Sequence, residues 1–324
     1  MWAIALTPTT ANVGAKQFSL NVIFEQHTNT MKAPLPTVAG VGPSCQWLPS
    51  GHWKTVLEFF KEQYPRITVE TWTTRMAKGE VLDEHGRTVD PQTAYRVGAC
   101  IYYYRELENE KVIPFVEQVL YQDEHILVAD KPHFLPVIPS GRFLQQTLLV
   151  RLRNIYNLEN LVPIHRLDRE TAGVVLFSVN PQTRGLYTSL FRNRKVTKVY
   201  EALAPTIDTT QFPTIRRSRI VQGEPFFRMK EVPGAPNSET HINYGREVGR
   251  HSIYQLTPTT GRKHQLRLHL AALGIPIIND KLYPVMTRVD DDDFSTPLKL
   301  LAKSLAFQDP ISNQQHYFES GIRL

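Results

Sequence analysis

The pattern of apolar and polar positions divides the chain into three stretches. Up to about Pro49 it has no period, and Thr, Asn, Pro and Gly are frequent, which predicts a poorly ordered leader over residues 1–49. Met31 heads a more ordinary start, Met-Lys-Ala-Pro-Leu-Pro, so residues 1–30 are expected to reflect a start-site assignment. From His52 the pattern changes. Val56, Leu57, Phe59 and Phe60 put an apolar face on a short helix that stops near Pro65, and a second helix is predicted from Val69 to about Lys78, closed by Gly79. Residues 81–89 form a hairpin pattern with a glycine turn, and residues 99–104 a closing strand. The charged stretch 105–111 has the composition of a linker, which bounds a small αβ unit at 50–112.

The third stretch, residues 113–324, mixes both periods. Two apolar runs flank a polar turn between Val119 and Ala129, a hairpin pattern, and Lys131-Pro132 and then Pro136 to Gly141 interrupt it. A helix is predicted from Thr147 to Tyr156. Short strands and helices then alternate over residues 173–178, 199–204, 252–256 and 264–273. No internal repeat is present. The segregated pattern predicts an α+β fold with a largely antiparallel, mixed sheet.

Composition narrows the class. With 324 residues the chain is long enough for two folded units, and 41% hydrophobic with 21% charged residues is ordinary for a globular protein. No run approaches the roughly 18 apolar residues of a membrane span. The N-terminus has no positive region ahead of its apolar stretch, so no secretory signal is expected. Two cysteines, Cys45 and Cys100, are too few for a disulfide framework or a zinc cluster and fit a reducing compartment, so the expected location is cytoplasmic. Net charge is +6 and the pI about 9.2, values that a solvated basic surface also gives. Clustering is more informative. Arg184, Arg192, Arg194, Lys195 and Lys198 form one basic group, Arg216, Arg217, Arg219, Arg228 and Lys230 a second, and Arg262, Lys263 and Arg267 a third. Such groups suit a polyanion such as RNA.

Three segments can carry chemistry. In Pro163-Ile-His-Arg-Leu-Asp168-Arg-Glu-Thr-Ala-Gly173 an aspartate precedes the apolar run Val174 to Phe177; a carboxylate held there can act as nucleophile or base, or simply close a turn with Arg166 or Arg169. Lys198-Val-Tyr200 heads a strand, where a tyrosine can stack on a base, move a proton or fill the core. In the segment from Thr257 to Asp280, Thr260 or Gly261 can cap a helix that Gly274 ends. Leu266, Leu270 and Leu273 would form its buried stripe, with His264 and Arg267 on a neighbouring face. Arg267 could there hold an aspartate ionised through a bidentate pair. His264 and His269 are five apart with no intervening Glu, unlike a zinc helix, and Asp290 to Asp293 read as a solvated loop; no metal site is expected.

In this order the segments resemble the RluA-type family of pseudouridine synthases. His165 to Gly173 is similar to the family's His-Arg-Leu-Asp-x-x-Thr-Ser-Gly, with Ala172 for Ser. Lys198 to Tyr200 matches its Lys-x-Tyr, and Gly261 to Leu270 its Gly-Arg-Thr-His-Gln-Ile-Arg-x-His-Leu, with Lys263 for Thr and Leu266 for Ile. The lead-in from Tyr121 to Pro132 and the closing segment from Leu305 to Ser320 also match, so the resemblance covers about residues 115–324. Asn279 stands where the family usually has Gly. The unit at 50–112 resembles the S4 RNA-binding module, although Glu84-His85-Gly86 replaces the usual Asn-Gly turn and its basic face (Arg66, Arg75, Lys78, Arg87) is modest.

The resemblance implies an enzyme that isomerises uridine in structured RNA to pseudouridine without a cofactor, with ribosomal RNA ahead of transfer RNA as substrate. It implies Asp168 as the catalytic carboxylate, Tyr200 as the base-stacking and proton-transfer residue, and Arg267 as the partner that keeps Asp168 ionised. His165, Arg166, Arg192, Arg194, Lys195, Lys198, Arg262, Lys263 and His264 are the candidate RNA-binding residues, Arg166 for the space a flipped nucleotide leaves. Membrane and dinucleotide partners are not expected, and nothing requires more than a monomer. Two other readings are open: a non-catalytic RNA-binding or ribosome-assembly protein, and an aspartate-dependent glycosidic hydrolase, which would commonly need a second carboxylate.

Overall fold

A computed structural model of the chain describes residues 33–107, 109–287 and 293–324. The N-terminal elements are β1 (Ser44–Trp47), α1 (Val56–Gln63), α2 (Val69–Ala77), β2 (Val81–Leu82) and β3 (Cys100–Tyr103). Threonines start both helices: Thr55 Oγ1 accepts from Glu58 N–H and Thr68 Oγ1 from Thr71 N–H. The strands form a three-stranded sheet in the order β1-β3-β2, and Phe59, Phe60, Trp72, Met76 and Tyr103 fill the space between sheet and helices.

Four expectations change in this region. Residues 1–32 of the expected leader lie outside the described residues, but β1 falls within it and is held by pairing with β3, a long-range contact that no local period announces. Cys45 and Cys100 sit diagonally across that pair, their Cα atoms 6.1 Å apart, and are joined in a disulfide. Arg75 is buried and bonds Glu106 at 2.7 Å, so it leaves the small basic face. The charged linker is docked: the Glu110 carboxylate accepts from the backbone N–H groups of Leu144, Gln145 and Gln146 at 2.6–2.8 Å.

The larger sheet is built from β4 (Gln118–Gln122), β5 (Ile126–Lys131), β6 (Val162–Pro163), β7 (Ala172–Ser178), β8 (Val196–Pro205), β9 (Thr214–Gln222), β10 (Met229–Val232), β11 (Ser238–Val248), β12 (His251–Pro258), β13 (Leu300–Gln308) and β14 (Gln315–Glu319). The helices are α3 (Leu148–Tyr156), α4 (Arg184–Arg192) and α5 (Gln265–Ala272). The strands run β10-β9-β11-β12-β8-β13-β7-β5-β4, with β14 on β13 and β6 on β7. Every pairing is antiparallel except β13 with β7, so the α+β, mostly antiparallel expectation holds.

Burial follows from this order. Every residue of β5 and β7 is buried, because α3 covers one face through Leu148, Leu149 and Leu152 and α4 the other through Tyr187 and Leu190. A third cluster lies between α5 and strands β8, β11 and β12, with Leu266 and Leu270 against Ala202, Tyr254 and Leu256. Between these regions stands β13.

The parallel β13–β7 contact is short, pairing Leu301 with Ala172 and Ala302 with Gly173. Gly173 has φ +113°, and a Cβ there would lie 2.2 Å from the Ala302 carbonyl oxygen, so only glycine lets the strand after Asp168 approach β13. Gly173→Ala is expected to cost at least about 2 kcal/mol of stability, read from the midpoint of urea unfolding; an unchanged midpoint would show that the junction yields.

Candidate active site

Asp168 lies in the loop between β6 and β7, where its carbonyl accepts from Thr171 N–H at 3.1 Å. Two neighbours hold this loop. Lys131, fully buried at the end of β5, donates through Nζ to the carbonyls of Pro132, Leu135 and Arg169 at 3.0, 2.8 and 3.1 Å. His133 Nδ1 lies 2.7 Å from the Glu170 carbonyl oxygen. Burial pushes the Lys131 ammonium down to about 7, and the nearby Glu170 and Asp168 work against that.

The first turn of α5 and the residue before it bring two nitrogens near the carboxylate. His264 Nε2 and Arg267 Nη1 each lie 3.9 Å from Asp168 Oδ2. The bidentate partner of Arg267 is Asp280: Nε and Nη2 bond its two oxygens at 2.8 and 2.6 Å, both side chains almost wholly buried. Arg267 therefore does not make the expected bidentate pair with Asp168, because Asp280 takes two of its three nitrogens. Nη1 is left buried and, among the described residues, without a hydrogen-bond partner. Tyr200, on β8, packs where two core clusters meet.

Burial works against ionisation of Asp168, but His264, Arg267, Arg166 and Lys263 outweigh it and hold the carboxyl below its usual range. Burial, and then the Asp168 charge, push the Tyr200 phenol well up. It is neutral at physiological pH and keeps its proton. Burial lowers His264 to about 4, so its ring is neutral as well. For Arg267, burial is outweighed by Asp280 and then Asp168, and the guanidinium stays charged.

The start of α5 differs from expectation. Thr260 does not cap it; its hydroxyl bonds the Gln265 side chain, whose Oε1 also accepts from Arg262 N–H, and the helix begins at Gln265 after His264 in the left-handed region at φ 56°. The turn of 261–264 is what aims His264 at Asp168. Gly274 closes the helix as expected, at φ 77°. Asn279 also adopts the left-handed conformation, φ 64°, and donates to the Pro297 carbonyl, so it serves in the usual glycine place. A cleft of about 310 Å³ opens beside Arg267, lined in part by Phe134, Phe227, Leu298, Arg169 and Lys281.

The structure thus gathers Asp168, Tyr200, His264 and Arg267, with the exposed Arg166 and Lys263 within reach of the carboxylate's charge. His165 turns inward: Nε2 accepts from Leu176 N–H at 3.1 Å and the ring stacks on Phe191. Burial, with Lys198 close by, lowers it to about 3. Arg192, Arg194 and Lys195 stay exposed at the end of α4, while Lys198 is partly buried on β8. Arg262 is exposed, its Nε bonding the Asn237 carbonyl. Of the second basic cluster, Arg216, Arg217 and Arg219 lie on β9 and Lys230 on β10, and Arg216 and Arg217 pair with Glu231 and Glu239. Of the four-aspartate run, Asp290 to Asp292 lie outside the described residues, and Asp293 faces Lys281 at 3.5 Å. Lys131, Asp280 and Tyr283 were not singled out from sequence. Asp280 stood at the end of the third motif segment, the one hint the sequence carried.

Comparison with known proteins supplies the chemistry. A family model described as RNA pseudouridylate synthase matches residues 125–272. An uncharacterized RNA pseudouridine synthase of Synechocystis is 30% identical over 232 residues, 70% of this chain and 79% of the relative. The mitochondrial tRNA pseudouridine(32) synthase of Saccharomyces cerevisiae is 30% identical over 237 residues, 71% of this chain and half of the yeast protein. The solved structure of human RNA pseudouridylate synthase domain containing 1 superposes with a TM-score of 0.51 at 25% identity, covering 64% of this chain and 84% of the human one.

Removing the carboxylate from the buried pair by Asp280→Asn leaves Arg267 without its counter-charge. The expected loss is about 3–5 kcal/mol of folding stability, measured by denaturant unfolding; a loss below about 1 kcal/mol would mean that water reaches the pair.

Proposed function

The chain belongs to the RluA-type family of RNA pseudouridine synthases, and on that premise we propose that Asp168 is the catalytic carboxylate that turns a uridine of structured RNA into pseudouridine. One observation carries this reading. A largely buried carboxylate is kept ionised by His264, Arg267, Arg166 and Lys263, beside a neutral tyrosine. The reaction is an isomerisation in which the C1′–N1 bond breaks, the base turns, C5 joins C1′ and gives up its proton, and N1 gains one. Attack by the carboxylate on the sugar and removal of a sugar proton both need Asp168 ionised. Tyr200, with its proton retained, offers its ring to the uracil face and its O–H as a donor. The unpartnered Nη1 of Arg267 is a spare donor at the same point, so a polar substrate atom entering there would satisfy it.

The uridine has to leave its stack to reach Asp168, at a cost of a few kcal/mol when paired. Arg166, exposed two residues before Asp168, is suited to the space it vacates. Arg192, Arg194 and Lys195 offer exposed charge for phosphates, and Arg262 and Lys263 extend it before α5. His165 no longer belongs in this set, since its ring nitrogen and face are both engaged. The yeast relative's name favours transfer RNA and the small N-terminal unit favours ribosomal RNA; one mapping experiment reads both.

That experiment incubates the protein with ribosomal and transfer RNA and maps pseudouridine by carbodiimide-dependent reverse-transcription stops. Asp168→Asn is expected to give no new stops while binding RNA about as well as the wild type, and a variant that still produced them would refute the assignment. The triple change of Arg192, Arg194 and Lys195 to Ala should weaken binding and flatten its salt dependence by about one unit of slope for each phosphate no longer neutralised. An unchanged slope would place the RNA elsewhere.

A further inference from the structure

Tyr283, on the loop after α5, is 3% exposed, and its hydroxyl sits between two partners. Met229 N–H, at the start of β10, donates to it at 2.8 Å, and His264 Nδ1 lies 2.8 Å away. A phenol has one proton to give. Were His264 protonated on Nδ1, both neighbours would be donors, and the phenol proton would find no acceptor among the described residues. With the ring proton on Nε2 every group is matched. Met229 N–H goes to the Tyr283 oxygen, Tyr283 O–H to His264 Nδ1, and His264 Nε2–H faces Asp168 Oδ2 at 3.9 Å. That distance is longer than a direct hydrogen bond, yet in a water-poor site an N–H dipole aimed at a carboxylate favours its ionised form.

The tyrosine is itself held firmly. Asp280 Oδ1, while pairing with Arg267, accepts from Leu282 and Tyr283 N–H at 2.9 and 3.0 Å. The guanidinium carbons of Arg228 and Arg267 lie 5.2 and 5.4 Å from the centre of the Tyr283 ring. A phenylalanine would keep these ring contacts and lose only the hydroxyl.

We propose that Tyr283 is a positioning residue for the reaction, its hydroxyl fixing the neutral His264 ring in the Nε2–H tautomer that supports ionised Asp168. This rests on the assignment of Asp168 as the catalytic carboxylate. The charged and titratable groups facing Asp168 are His264, Lys263 and Arg267 from α5 and its preceding turn, Arg166 from its own loop, Lys131 from β5 and Tyr200 from β8. Of these, Tyr283→Phe alters the hydrogen bonding of His264 alone.

The test uses the full chain and the RNA that the wild type modifies in the mapping experiment. Tyr283→Phe should lower kcat about tenfold and leave KM within about twofold. The acid limb of the kcat profile should move to higher pH, because Asp168 loses a group that favours its ionised form. Nitrogen-15 NMR should find neutral His264 protonated on Nε2 in the wild type and as a mixture of the Nδ1–H and Nε2–H tautomers in the variant. The double variant Tyr283→Phe with His264→Ala should be no slower than His264→Ala alone. A wild-type His264 protonated on Nδ1 would overturn the proposal without any variant. If Asp168→Asn is inactive but Tyr283→Phe keeps the wild-type kcat and acid limb, the proposal falls and the function stands. Activity in Asp168→Asn would overturn both.

Discussion

The buried pair of Arg267 and Asp280 is the interaction on which the arrangement turns. A guanidinium in the core must meet a carboxylate or exact a heavy desolvation cost, and here the carboxylate comes from a loop with no regular structure. Asp280 answers Arg267 with both oxygens and with one of them also takes two backbone N–H groups of its own loop. One ion pair thus sets the helix, the loop and the tyrosine that the loop carries. Such pairs add little net stability over an apolar filling, and their value lies in geometry. The geometry here leaves one arginine nitrogen over, and it faces Asp168.

Across the site, a second buried cation does comparable work with the opposite electrostatic outcome. Lys131 meets carbonyl oxygens rather than a carboxylate, and burial brings its ammonium close to neutrality. It ties the end of β5 to the backbone just after Asp168. The backbone beside Asp168 is therefore held from β5 and the carboxylate is addressed from the start of α5, while Gly173 lets the strand that follows lie against β13.

Much of the fold was legible in local pattern. The first three helices carry threonine caps beside clear apolar faces, and β5 and β7 contain the apolar runs Ile126 to Ala129 and Val174 to Phe177, buried because both faces are covered. What escaped was set by partners far along the chain. β1 exists through its register with β3, and Arg75 and Glu110 gave up their surface roles to contacts beyond any local window. In the site, Asp168, Tyr200, His264 and Arg267 were legible as a set. Asp280 and Tyr283 were not, since a loop carboxylate and a loop tyrosine announce their partners only once the chain is folded. The start of α5 was misplaced because a glutamine side chain, a few residues past the obvious threonine and glycine, organises that turn.

The strand order has a consequence for how the protein comes into being. Asp168 belongs to the side of the sheet built on β5 and β7, and Tyr200 and Arg267 to the side built on β8 to β12. The strand that joins these halves is β13, which the ribosome makes after both, and Ser320 and Gly321 then fasten the chain to Asp130 on β5 through side-chain and backbone hydrogen bonds. The two halves are paired to each other in the sheet only through β13. A chain that ended before β13 would hold every residue proposed for the site and lack the strand that sets its two halves side by side.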